Sequence, residues 1–173
     1  MVSLREYHEP YVELQVTSNY SFLKGASHPH ELAMQAKLLG HDAIAITDHN
    51  ILAGVVRMHM ACKQHDIRMI VGARLDLEDS PSLLCFPTNR AAYGRLSQLL
   101  SLGKQRAGKG QCYLFLEDIL KGEIFHAGND QILVVISPNE IDNAFKNTLL
   151  RIRNRIKKNI YISINYIYSG YDK

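Results

Sequence analysis

The rhythm of apolar and polar positions changes repeatedly along the chain, and each change marks an element. Residues 12–17 alternate weakly and are rich in β-formers, which predicts a first strand. Residues 21–27 are polar around Gly25 and predict a loop. Ser27 is placed to cap a helix with Pro29 as its second residue, where a missing N–H costs nothing. Leu32, Ala33, Ala36 and Leu39 share one face of that helix, and Gly40 ends it. The run AIAIT at 43–47 is short, apolar and flanked by polar residues, the pattern of a buried parallel strand. A helix over 51–65 leads to a strand at 67–71, and another strand follows at 83–86. Residues 89–102 predict a helix with Leu96, Leu99 and Leu100 inward, and strands at 132–136 and 160–164 complete a set of six.

Strands that alternate with helices of this length predict βαβ units, a parallel sheet and right-handed connections. The fold class is therefore α/β. Six strands in this order suit an open doubly wound sheet or part of a barrel, and periodicity does not separate the two. With 173 residues, 46% apolar and 21% charged, the chain suits one globular domain with its own core. No apolar run approaches the roughly 18 residues of a membrane span. Glu6 and Glu9 stand where a signal peptide would need an apolar segment. The expectation is a soluble, cytoplasmic protein without membrane contact. Cys62, Cys85 and Cys112 are scattered singly, as reduced thiols are, and Cys85 within an apolar strand reads as inert core.

A net charge of +3 is too small to argue nucleic-acid binding by itself, but the cations are locally concentrated. Residues 104–111 (KQRAGKGQ) form a basic, glycine-bearing loop. It follows a helix, not a strand, and lacks a Ser or Thr after Lys109, so it does not match a phosphate-cradling loop. Residues 146–158 carry six cations and no acid, while Phe145, Leu149, Ile152 and Ile156 line one helix face. The favoured reading is an outer helix with a wet charged face. Lys104, Arg106, Lys109, Arg151, Arg155 and Lys158 are the positions that would touch a nucleic acid or partner. No Ser-His-Asp or Cys-His triad can be assigned. His8, His28, His30, His41, His59, His65 and His126 read as surface or helix-face residues, with His28-Pro29-His30 as cap geometry.

Three passages carry a resemblance. The first runs from ELQVTSNYSFLKGASHPHEL through AIAITDHN to IVGARL, residues 13–75. The second is FPTNRAAYGRLSQLLSLGKQRAGKGQCYL, residues 86–114, and the third is the strand at 132–136 with the helix and strand after it. Together they resemble the N-terminal polymerase-and-histidinol-phosphatase (PHP) domain of bacterial error-prone DNA polymerases of the C family. TSNYSFLKGASHP and SLGKQRAGKG favour the error-prone branch over the main replicative α subunit. The resemblance implies a PHP-type (β/α)7 barrel, incomplete, with about six of the strands present. Residues 1–173 would be one PHP domain truncated at its C-terminal side, without polymerase palm, fingers or thumb. A barrel short of a strand leaves an open edge, so the isolated chain is expected to be marginal or aggregation-prone.

The family also implies a metal site at the strand C-terminal ends, where histidines and carboxylates hold ions that activate water to cleave a phosphoester. Matched residue by residue, Asp48 and His49 are what remains of the ligands. Gln15 and Thr17 stand at the first motif's histidines, Lys24 and Arg74 at carboxylates, and Ser82 at a further histidine. Amide and hydroxyl groups are weak ligands and cations repel a dication, so no cofactor is expected here; Lys24 or Arg74 could instead pair with Asp48. For the full-length parent the resemblance implies DNA-directed nucleotidyl transfer with Mg²⁺ in damage-tolerant synthesis and repair. Its partners would be DNA, the palm and thumb, or other repair proteins. This chain would then be a scaffold. A stand-alone metal-dependent phosphoesterase and a relic of a truncated gene are the alternatives.

Overall fold

The structure, a computed structural model, describes residues 11–121, 130–138 and 140–164. The described residues form seven strands and five helices, divided between two compact units. One unit comprises Met1–Thr47 and Ala53–Val71, the other Asp48–Leu52 and Gly72–Lys173.

The first unit contains β1 (Val12–Glu13), α1 (Pro29–Leu38), β2 (Ala43–Ile46), α2 (Val55–Gln64) and β3 (Arg68–Val71). Its sheet is parallel in the order β1-β2-β3, and β2 is buried at every position, as its unbroken apolar run requires. Val16, Ala33, Ala36, Ile44, Ile46, Met58, Ala61 and Cys62 form the core. β1 is shorter than the predicted 12–17. Past Glu13 a threonine takes part in the pairing: Thr47 Oγ1 accepts the Val16 N–H at 2.9 Å, and the Thr47 N–H donates to Val16 O at 2.8 Å. His28, not Ser27, precedes α1, and Pro29 is its first residue. The Glu31 carboxylate accepts the His28 N–H at 2.7 Å, supporting a free donor at the helix start. The inward face is Pro29, Ala33 and Ala36; Leu39 is 61% exposed, because α1 ends at Leu38 and Gly40 turns away with φ +75°.

The second unit contains β4 (Ala73–Leu75), β5 (Leu83–Pro87), α3 (Arg90–Gln105), α4 (Leu116–Lys121), β6 (Gln131–Ile136), α5 (Asn143–Arg155) and β7 (Ile160–Ser163). The sheet order is β4-β5-β6-β7, and here the expectation of parallel strands fails in part. β6 and β7 are parallel, but β4/β5 and β5/β6 are antiparallel. Residues 76–82 are too few for a crossover helix, so β5 doubles back on β4. β4 itself is the strand missing from the six-strand reading, three residues long with Arg74 at its centre. A large core gathers Leu75, Leu83, Leu96, Leu99, Leu100, Leu116, Ile119, Leu133, Val135 and Ile152.

Two side chains cap helices here: Asn89 Oδ1 accepts the Ala92 N–H at 2.9 Å, and Asp142 Oδ1 accepts the Phe145 N–H at 2.7 Å. α3 runs to Gln105, past the predicted end at 102, and α4 was not expected at all. Cys85 is fully buried, its Sγ–H donating to Gln131 Oε1 at 3.0 Å, and burial pushes its thiol up to about 12. This agrees with an inert core cysteine. On β7, Tyr161 and Ile162 are about half exposed, and Ile164 just beyond it is 85% exposed. No helix among the described residues is long and apolar enough to cross a membrane.

Candidate functional site

The Asp48-His49-Asn50 sequence runs beside β4. The Arg74 N–H donates to Asp48 O at 3.0 Å, the Asn50 N–H donates to Arg74 O at 2.8 Å, and His49 and Arg74 form a parallel bridge. Asn50 takes a positive φ of +53°, a conformation asparagine tolerates better than most residues. This turn brings its amide onto Asp76: Oδ1 accepts the Asp76 N–H at 3.0 Å, and Nδ2 donates to Asp76 O at 3.2 Å.

Asp76 is the centre of the cluster. Its Oδ2 meets His49 Nδ1 at 2.6 Å, and its Oδ1 accepts from Arg74 Nε at 3.1 Å and from Ser82 Oγ at 2.8 Å. Arg74 also donates through a terminal nitrogen to Ser82 Oγ at 3.3 Å. The His49, Arg74 and Asp76 side chains are between 14% and 27% exposed, so the network is partly shielded from water. Asp48 is 1% exposed.

Four of the residues singled out from the sequence, Asp48, His49, Arg74 and Ser82, therefore belong to one network in the second unit. Gln15, Thr17 and Lys24 lie in the first unit. Gln15 and Thr17 follow β1 and are partly buried, and Lys24 is exposed in the loop before α1, its N–H bound to Ser21 O at 2.9 Å. Arg74 finds its carboxylate partner in Asp76, a residue that sequence reasoning missed. The available signal was strand alternation: residues 74 and 76 share a face, and a cation on one invites an acid on the other.

This donor set does not suit a divalent ion. The Asp76 carboxylate already accepts from a guanidinium and a hydroxyl on Oδ1 and meets an imidazole on Oδ2. Among the described residues no three His, Cys, Asp or Glu side chains stand where they could share a metal. A guanidinium cannot be deprotonated to make room.

Half of the candidate nucleic-acid contacts are tied within the second unit. Arg106 pairs with Asp118 at 2.6 Å, Arg151 pairs with Glu117, and Arg155 Nε donates to Leu120 O at 2.8 Å. Lys121 and then Arg151 hold the Glu117 carboxyl below its usual range. These three arginines fasten α3 and α5 to α4. Lys104, Lys109 and Lys158 are exposed.

The fold and the polar network together define an α/β domain in which His49 and Arg74 meet on the Asp76 carboxylate. The chain belongs to the PHP domain family, whose model matches residues 13–166. It is 44% identical over 163 residues to an error-prone DNA polymerase of Caulobacter vibrioides, covering 94% of this chain and 15% of that protein. It is 53% identical over 109 residues to an error-prone DNA polymerase of Allorhizobium ampelinum, covering 63% of this chain and 10% of the relative. The chain thus spans 15% or less of the length of these two curated relatives. Among solved structures, an amidohydrolase from Chromobacterium violaceum with bound sulfate and no metal aligns with a TM-score of 0.62 at 15% identity, over 86% of this chain and 75% of that one. A candidate metal-dependent phosphoesterase from Bifidobacterium adolescentis aligns with a TM-score of 0.59 at 14% identity, over 83% and 76%. These two show the fold.

Proposed function

We propose that this chain serves as the non-catalytic PHP module of an error-prone DNA polymerase, supporting palm and thumb during damage-tolerant synthesis in the cytoplasm. The observation that carries the reading is the Arg74 guanidinium held on Asp76 and Ser82, which places a fixed cation among the polar groups of the Asp-His step. A dication there would meet repulsion from that guanidinium and find Asp76 already engaged. Mg²⁺ would belong to the polymerase palm, and DNA would be met through the whole polymerase.

Two measurements test this. The purified chain is assayed with Mn²⁺, Zn²⁺ or Mg²⁺ on p-nitrophenyl phosphate and on a recessed primer–template. Turnover should match that of a variant carrying D48A and H49A; metal-dependent hydrolysis lost in that variant would establish a phosphoesterase in place of a support module. Separately, the Caulobacter vibrioides polymerase is deprived of its matching segment and fused to this chain. Primer extension should recover at least tenfold, and no recovery removes the polymerase-module reading.

A further inference from the structure

We infer that His30 and His65 form a two-imidazole site for a transition-metal dication of the Zn²⁺, Ni²⁺ or Cu²⁺ class, clipping the first turn of α1 to the end of α2. The inference lies wholly within the first unit and does not depend on the proposed polymerase role. His30 is the second residue of α1, and His65 is the residue at the C-terminal cap of α2. His30 Nδ1 and His65 Nε2 lie 3.4 Å apart, with ring centroids at 4.7 Å and planes tilted by 47°. Because the nitrogens are closer than the ring centres, the two rings converge toward their nitrogen edges.

That spacing fits a shared ion. With metal–nitrogen bonds of about 2.1 Å, two nitrogens 3.4 Å apart subtend roughly 108° at the metal, close to the tetrahedral angle. As a hydrogen bond, 3.4 Å is long for a nitrogen pair. Both backbones are anchored. Pro29, the first residue of α1, is buried, the Glu31 carboxylate accepts the His28 N–H, and the His65 N–H donates to Ala61 O at 3.0 Å. Little rearrangement stands between the pair and chelation.

The donor chemistry selects the ion. Imidazoles suit zinc, nickel and copper, whereas magnesium and calcium take oxygen ligands. Two protein donors leave the other positions to water. The neighbouring His28 turns its Nδ1 to the Asn19 amide nitrogen at 3.0 Å instead. Arg57 and Lys63 line the adjoining groove and limit the affinity through repulsion.

The test uses the untagged full chain. Isothermal titration with Ni²⁺ and Zn²⁺ should give one site per chain, and Mg²⁺ should give none. H30A and H65A should each lower the affinity at least tenfold, while H59A, on a different part of α2, should leave it unchanged. Copper electron paramagnetic resonance should report two coupled nitrogens in the parent chain and fewer in either variant. Both side chains reach solvent, so the variants should keep the parent circular dichroism, and H30Q/H65Q provides a second pair that preserves bulk. Binding that persists unaltered in the double variant, or no one-to-one binding by the parent chain, would overturn the site.

Discussion

At the scale of single residues, Asp76 decides what the Asp-His step does. It gathers an imidazole, a guanidinium and a hydroxyl, and its backbone is held by Asn50. Removing it strands a cation and a histidine that have little water to turn to. Asp76→Ala should therefore cost about 1–3 kcal/mol in urea unfolding, a value discounted because the groups are partly exposed. Arg74→Met leaves Asp76 its bonds to His49 and Ser82 and should cost less than Asp76→Ala. The double variant should fall short of the sum, since both single changes break one interaction. Strictly additive losses would mean that the pair does not couple. The sequence made half of this legible: substitution of a carboxylate position by Arg74 was visible, but its partner sat two residues away in a strand too short to recognise.

At the scale of elements, glycine and charge explain where the pattern misled. SLG at 101–103 looked like a helix ending, yet Gly103 is buried in α3, and an added Cβ would lie 2.7 Å from both Cys112 Sγ and Leu114 Cδ2. The glycine is there for close approach of the 112–114 segment, which a one-dimensional pattern cannot reveal. Gly103→Ala gains helix propensity but overpacks this contact, and should lower stability by about 1–3 kcal/mol in chemical denaturation; a stabilised variant would show that the segment yields freely. Charge ties α3 to β6 in a similar way. Asp130, just before β6, pairs with Arg95 and accepts from Asn89, and its backbone carbonyl accepts the Thr88 N–H at 2.9 Å. The hydrogen bond from Arg95 lowers the Asp130 carboxyl below its ordinary value of 3.8, against the opposing effect of burial. A depressed carboxyl stabilises the fold above its unfolded value, and that contribution disappears as pH falls through the lower folded value. Urea midpoints should therefore drop below pH 4 more steeply in the parent chain than in Arg95→Met. Equal slopes would remove the ion pair from the acid response. The main apolar runs, by contrast, were readable, because buried strands such as β2, β5 and β6 carry their burial in consecutive residues. The parallel direction of β2 was readable as well, but the antiparallel pairing of β5 with β4 and β6 was not, because apolar burial alone does not set strand direction.

At the scale of the molecule, two cores of different quality share one chain. The core of the first unit rests on Met58, Ile44, Ile46 and Val16, completed by Ala33, Ala36 and Ala61. That of the second is built from many leucines and isoleucines with Phe145. An alanine buries far less apolar surface than a leucine, and burial contributes roughly 25 cal/mol per Å². Less of the backbone's ordering entropy is therefore offset in α1 and α2 than in β5 and β6. Regions with thinner apolar contact open at lower free energy than the rest. Native-state hydrogen exchange should accordingly find the amides of α1 and α2 less protected than those of β5 and β6. Met58 is completely buried and, with Ile46, is among the largest side chains in the smaller core, so Met58→Ala should remove about 2–5 kcal/mol and expose α1 and α2 first. Equal protection across the four elements, or a loss in Met58→Ala that begins in β5 and β6, would mean that the alanine-rich core is not the weaker one.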